Sequence, residues 1–112
     1  MSQHPGDGSD LDGVLTAMDL VAFQSGAVVS RTLVKKPTGT VTAFAFDGGE
    51  GLSEHTEPFD ALVLALDGEA EITIAGAAFS VASGELLRLP AGKPHAVKAS
   101  SPFKMLLIMI RA

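Results

Sequence analysis

Apolar residues in this chain come in short runs rather than long stripes. From Val14 onward they alternate with turn signals at intervals of roughly 8 to 12 residues, the rhythm of a sandwich or barrel. Val28–Val34 reads as a strand stopped by Lys35-Lys36-Pro37-Thr38-Gly39, because proline lacks the ladder donor and glycine suits a turn. Thr40–Phe46 alternates, with Val41, Ala43 and Ala45 on one face and Thr42, Phe44 and Phe46 on the other. Ala61–Leu66 is apolar at every position, which predicts a strand covered on both faces, by the interior on one side and by an N-terminal segment or a second subunit on the other. Asp67-Gly68 is a tight-hairpin signal, Glu69–Ala75 alternates, Gly76-Ala77 turns and Ala78–Val81 returns. Glu85–Leu89, Pro94–Lys98 and Phe103–Ile110 complete eight or nine strands. In Leu11–Phe23, Leu11, Leu15, Met18 and Ala22 recur near helical spacing, so a short helix and an irregular segment packed on the barrel are both open. The whole predicts an all-β fold, an antiparallel jelly-roll barrel, since helical crossovers for parallel strands are missing.

Composition narrows the chemistry. The 112 residues suffice for one hydrophobic core, and residues 13–112 are read as a single barrel domain behind a polar, Gly-rich tail, residues 1–12, in which His4 is a solvated histidine. The chain has no cysteine, so disulfides, thiolate metal sites and thiol nucleophiles are excluded, in keeping with a reducing cytoplasm. A net charge of −5, with no basic cluster larger than Lys35-Lys36, argues against a nucleic-acid partner. The apolar runs are far shorter than the ~20 residues of a membrane span, and residues 1–12 lack the pattern of a signal peptide.

Two segments carry the candidate chemistry: Gly49-x5-His55-Thr56-Glu57, and Gly84-x5-Pro90-Ala91-Gly92-Lys93-Pro94-His95. Each is a Gly-punctuated turn beside a strand bearing histidine. They closely resemble the two motifs of the cupin family, G-x5-H-x-H-x3-4-E-x6-G and G-x5-P-x-G-x2-H-x3-N. The second motif is matched up to its last position, where Ala99 replaces asparagine. In the first, Glu57 stands in the second histidine position, and the glutamate position falls on Ala61, or on Leu62 with the longer spacer.

In a strand, His55 and Glu57 share a face by their spacing of two. The cupin resemblance implies that His95 joins them. Two imidazoles and one carboxylate form a donor set for a divalent metal, Fe, Mn, Ni or Zn, with open positions for water or substrate. Such a centre suits an oxygenase or isomerase acting on a small organic molecule. Without metal, the same groups can hydrogen-bond a ligand or move protons, and a metal-free binding or sensing domain, or an inert packed barrel, are the alternatives. Each residue also has a plainer reading: His55 as a strand-end histidine bonded to backbone, Glu57 as a solvated carboxylate. Ala61 and Ala99 put methyl groups where the family often has polar ones. With Phe44, Phe46, Val63, Val97, Phe103 and Met105, and with Met109, they are expected to line an apolar pocket for a small molecule. No nucleophilic triad is visible around Ser53. Homodimer formation is expected from the resemblance and from doubly apolar strands such as Met105–Ile110.

Overall fold

The computed structural model describes residues 13–111. The predicted tail, residues 1–12 with His4, lies outside the described residues, as does Leu11. Nine strands follow a short irregular segment: β1 (Val28–Lys36), β2 (Gly39–Phe46), β3 (Gly51–His55), β4 (Asp60–Asp67), β5 (Glu69–Ile74), β6 (Ala77–Ala82), β7 (Leu86–Leu89), β8 (His95–Lys98) and β9 (Phe103–Ile110). They form two antiparallel sheets, one of five strands ordered β1-β2-β9-β4-β7 and one of four ordered β3-β8-β5-β6. The two sheets face each other as a jelly roll.

Alternation along each strand sorts its side chains. Inward from β2, β4, β5 and β9, Phe46, Val63, Ile72, Phe103 and Met105 are the largest fully buried side chains. Outward from β2, Ala43 and Ala45 are equally buried, because the N-terminal segment lies over them. That segment holds one 3-10 turn, Ala17–Asp19, and seats Val21 in a small second cluster with Ala43 and Ala45. It resolves the ambiguity of Leu11–Phe23 for the described part in favour of an irregular packed segment. Short outward side chains let backbone approach closely, and two cations fasten it there. Arg31 Nη1 donates to Leu20 O at 3.0 Å, and Lys104 Nζ donates to Met18 O at 2.7 Å. Among the described residues, no helix is long and apolar enough to cross a membrane.

Two turns differ from their sequence reading. Asp67-Gly68 is not a hairpin: β4 and β5 belong to different sheets, and Gly68, at φ +77°, is the corner between them. A Cβ there would collide with the carbonyl oxygen of Pro102, so the close crossing of two backbones requires glycine. The true hairpin joins β5 to β6 one residue earlier than expected, through Ala75-Gly76, with Ile74 paired to Ala77. Both loop residues have positive φ, +50° and +84°, the signature of a type I′ turn. Alanine is costly in that conformation, whereas asparagine tolerates it and suits the first position of this turn. Ala75→Asn is therefore expected to stabilise the fold by about 0.5–1 kcal/mol, read as a melting temperature higher by roughly 3–6 °C. An unchanged or lower melting temperature would show that the turn carries no such strain.

Candidate functional site

The two histidine segments meet on neighbouring strands. Gly51 pairs with Lys98 and Leu52 with Val97 in the β3–β8 ladder. The register then slips, so that His55 rather than Glu54 faces His95. This bulge places three residues of β3 against two of β8. It re-aims one side chain, as bulges beside functional sites do. In unbroken register Glu54 would sit opposite His95 and share the inward face of Leu52. Instead Glu54 is exposed, and both Leu52 and His55 line the cavity. Gly51 is needed because a Cβ would strike the carbonyl oxygen of Val97.

Glu57 lies beyond the end of β3, so the strand-parity reason for pairing it with His55 does not apply. Pro58 follows, without a ladder donor, and the chain leaves the sheet. Loop contacts hold Glu57 in place: Gly92 N donates to Glu57 O and Ala91 N to Asp60 Oδ1, each at 2.8 Å. These bonds stitch the turn before His95 to the segment after His55. Glu57 Oε1 ends 3.9 Å from His55 Nε2.

The imidazoles are oriented by backbone. His55 Nδ1 lies 3.0 Å from Ser53 O, and His95 Nδ1 lies 3.3 Å from Lys93 O. A carbonyl oxygen only accepts, so each Nδ1 carries its proton and, in the neutral ring, each Nε2 is left with a lone pair. The two Nε2 atoms face each other at 3.1 Å. Two acceptors at that distance repel unless a proton or a cation lies between them. Burial disfavours the proton: desolvation first, and then the neighbouring His55, push the His95 pKa below its ordinary 6.5, against smaller upward pulls from the Lys93 carbonyl and Glu57. His95 is only 6% exposed, whereas the side chain of His55 is 43% exposed at the cavity mouth.

This shift has a consequence for stability. The unfolded chain takes up a proton at His95 near pH 6.5, which the folded chain resists. The residue's contribution is thus complete above that pH and is lost as the pH falls toward the lowered folded value. In chelator-treated protein, the melting temperature of wild type should fall more steeply between pH 7.5 and 5.5 than that of His95→Gln. Parallel slopes would remove His95 as the cause.

The cavity behind the histidines has a volume of about 210 Å³ and is lined by apolar side chains apart from His55, Glu57 and His95. Of the expected liners, Phe44, Val63, Val97, Met105 and Met109 border it. Phe46, Ala61, Ala99 and Phe103 lie instead in the packed core, all at most 4% exposed. Leu52, Leu89 and Leu107 border it without having been singled out in the sequence. Leu107 was within reach of the sequence, since it shares the parity of Met105 and Met109.

The residues present suit a divalent cation in part. Two imidazole nitrogens 3.1 Å apart can both reach one ion at the usual metal–nitrogen distance of about 2.0–2.1 Å, and a carboxylate stands beside them. Among the described residues, however, no group of three or more His, Cys, Asp or Glu side chains is drawn together as a metal cage.

The cupin-domain family model matches residues 43–110, a span holding both histidine segments. No curated protein matches the chain significantly. Among solved structures, a conserved protein of unknown function from Streptococcus pyogenes is 34% identical over 100% of this chain and 98% of its own, with a TM-score of 0.89. A cupin superfamily protein from Desulfitobacterium hafniense is 31% identical over 90% and 93% of the two chains, with a TM-score of 0.86. A cupin 2 conserved barrel domain protein from Leptotrichia buccalis is 44% identical over 84% of this chain but only 46% of its own, with a TM-score of 0.81. Nine strands in jelly-roll order, two histidines brought face to face by the paired motifs, and a family match across both place this chain in the cupin family.

Proposed function

We propose that this cupin binds one divalent metal ion through His55 and His95, with Glu57 as the adjoining carboxylate, and holds a small, largely apolar organic ligand in the cavity beside it. The observation that carries this reading is the pair of Nε2 atoms 3.1 Å apart with both Nδ1 atoms turned to backbone carbonyls, which aims two lone pairs at one place. Neutral imidazole is the commonest metal ligand, and a backbone carbonyl on the far nitrogen is the usual device that fixes its tautomer. When bound, the metal acts as a Lewis acid toward an oxygen of the ligand. The apolar wall of Phe44, Val63, Leu89, Met105 and Met109 excludes water from the ligand's body. Among the described residues, His55, Glu57 and His95 are the only ionisable groups in the lining, and they are the groups placed to move a proton at the bound ligand. An oxygenase or isomerase reaction on a small substrate is compatible with this set.

A second reading, a metal-free small-molecule binding or sensing barrel, draws support from the lack of a three-residue cage among the described residues and from the apolar cavity. One experiment separates the two. Untagged protein equilibrated in turn with Fe(II), Mn, Ni and Zn, then freed of excess, is assayed by elemental analysis beside the His55→Ala/His95→Ala variant. About one ion per wild-type chain, absent from the variant, is the expected result. No retained metal, combined with a melting temperature raised by small organic ligands alone, would replace the first reading with the second.

A further inference from the structure

A second cavity opens on the flank of the barrel. It encloses about 420 Å³ and is bordered by Ile74, Phe79, Leu87, Arg88, Pro90 and Lys93, sharing no residue with the histidine cavity. Its origin is topological. β6 and β7 are the end strands of the two sheets and do not pair with each other. The turn joining them is anchored to β4 and to the β4–β5 corner, Ser83 N donating to Gly68 O and Gly84 N to Ala65 O, so the two edges meet there. Farther along, the edges part. Phe79 pairs in register with the fully buried Ile72, so it is an inward-facing residue, yet it is 43% exposed. Leu87 pairs with the buried Val63 and borders the same opening from the other sheet. The gap thus leaves side chains of the barrel interior in contact with water.

The rim is cationic. Arg88 and Lys93 both border the groove, and among the described residues no aspartate or glutamate does. Among the described residues, neither side chain has an ion pair, hydrogen bond or ring contact. In a chain with 13 acidic and 8 basic residues, two cations left without carboxylate partners beside an apolar floor form a local field opposite to that of the molecule. An apolar floor with two positive charges at one rim is complementary to a molecule with an apolar body and one anionic end. Arginine adds a planar fork that matches a carboxylate.

We propose that this flank groove is a second binding site, for a small amphipathic carboxylate whose body covers Phe79, Leu87 and Ile74 and whose carboxylate lies between Arg88 and Lys93. Its lining is separate from that of the histidine cavity, and binding there requires no metal.

The test is a titration of isotope-labelled full-length chain with octanoate, followed by backbone amide NMR, with octanol as the uncharged control. Octanoate is expected to shift the amides of Ala75, Gly76, Ala77 and Leu87 saturably while leaving those of Leu52, His55 and Met109 in place. Octanol should bind about tenfold more weakly, and the Arg88→Gln/Lys93→Gln variant should lower octanoate affinity by a similar factor. Both side chains are exposed, so the variant keeps the fold, which its remaining amide shifts verify. Shifts centred on His55, equal binding of octanol, an unchanged affinity in the variant, or no saturable shift up to about 10 mM octanoate would each overturn the proposal. So would groove shifts that depend on protein concentration alone, which would assign the groove to a second copy of the chain.

Discussion

Phe103→Ala is expected to cost about 3–5 kcal/mol of folding stability, a large part of the roughly 5–15 kcal/mol that a domain of this size typically has. Phe103 is fully buried and pairs in register with Phe46, its ring 5.8 Å from that of Phe46, which in turn stacks on Phe44 at 5.9 Å. Truncation therefore removes the end of a three-ring row as well as its own buried area. The surroundings cannot close over the hole easily. The backbone at Pro102 and Phe103 is already in contact with Gly68 at the corner between the sheets, so neither strand can move inward. Poor collapse places the cost toward the upper end of the range. Urea denaturation of wild type, Phe103→Ala and Phe79→Ala measures it. Phe79, 43% exposed beside the flank groove, is expected to cost about 1 kcal/mol, because a large part of its area is already in water and loses little on truncation. A Phe103→Ala cost below about 1.5 kcal/mol would mean that the core relaxes around the cavity, contrary to a close-packed barrel.

That contrast marks how far the sequence could be read. Alternation in Thr40–Phe46 revealed which face Phe44 and Phe46 share, because period-two burial depends only on neighbours in the chain. It could not reveal depth. Phe44 borders the cavity while Phe46, Ala61, Ala99 and Phe103 are sealed in the core, although the two sets share the same inward parity. Position along the barrel axis follows from strand tilt and pairing, which no local pattern records. Asp67-Gly68 was misread for a similar reason: a hairpin and an inter-sheet corner both use glycine at positive φ, and only the partner strands distinguish them.

The meeting of the two histidines was legible in the sequence, and its cause was not. His55 and His95 stood out through the spacing of their motifs, and the structure sets them directly opposite each other. What puts them there is the bulge between Leu52 and His55, which nothing in Gly51–His55 announces, because a register slip is a property of two strands. Glu57 reaches the cavity through loop hydrogen bonds to the turn before His95 rather than through strand parity.

If the metal reading holds, the three polar residues should rank unequally. His95→Ala is expected to weaken Zn and Mn binding at pH 7.5 by at least 100-fold, His55→Ala by a comparable factor, and Glu57→Gln by about tenfold. His95 is buried and held by the Lys93 carbonyl, so its removal leaves no side chain positioned to replace it. His55 is more exposed, yet without it His95 is a lone imidazole, and one neutral ligand retains little affinity for a hydrated dication. Glu57 contributes mainly negative charge from its position beside His55, which glutamine removes while keeping the shape. Ser53→Ala supplies the control. Its carbonyl rather than its hydroxyl orients His55, so affinity should stay within about twofold of wild type. Affinity should also fall as the pH drops, because protons and metal compete for the same nitrogens. Titration calorimetry on the four variants reads all of this. A His95→Ala protein that still binds within about threefold of wild type would mean that the ion is held elsewhere, and the facing imidazoles would then be a hydrogen-bonding pair for an organic ligand.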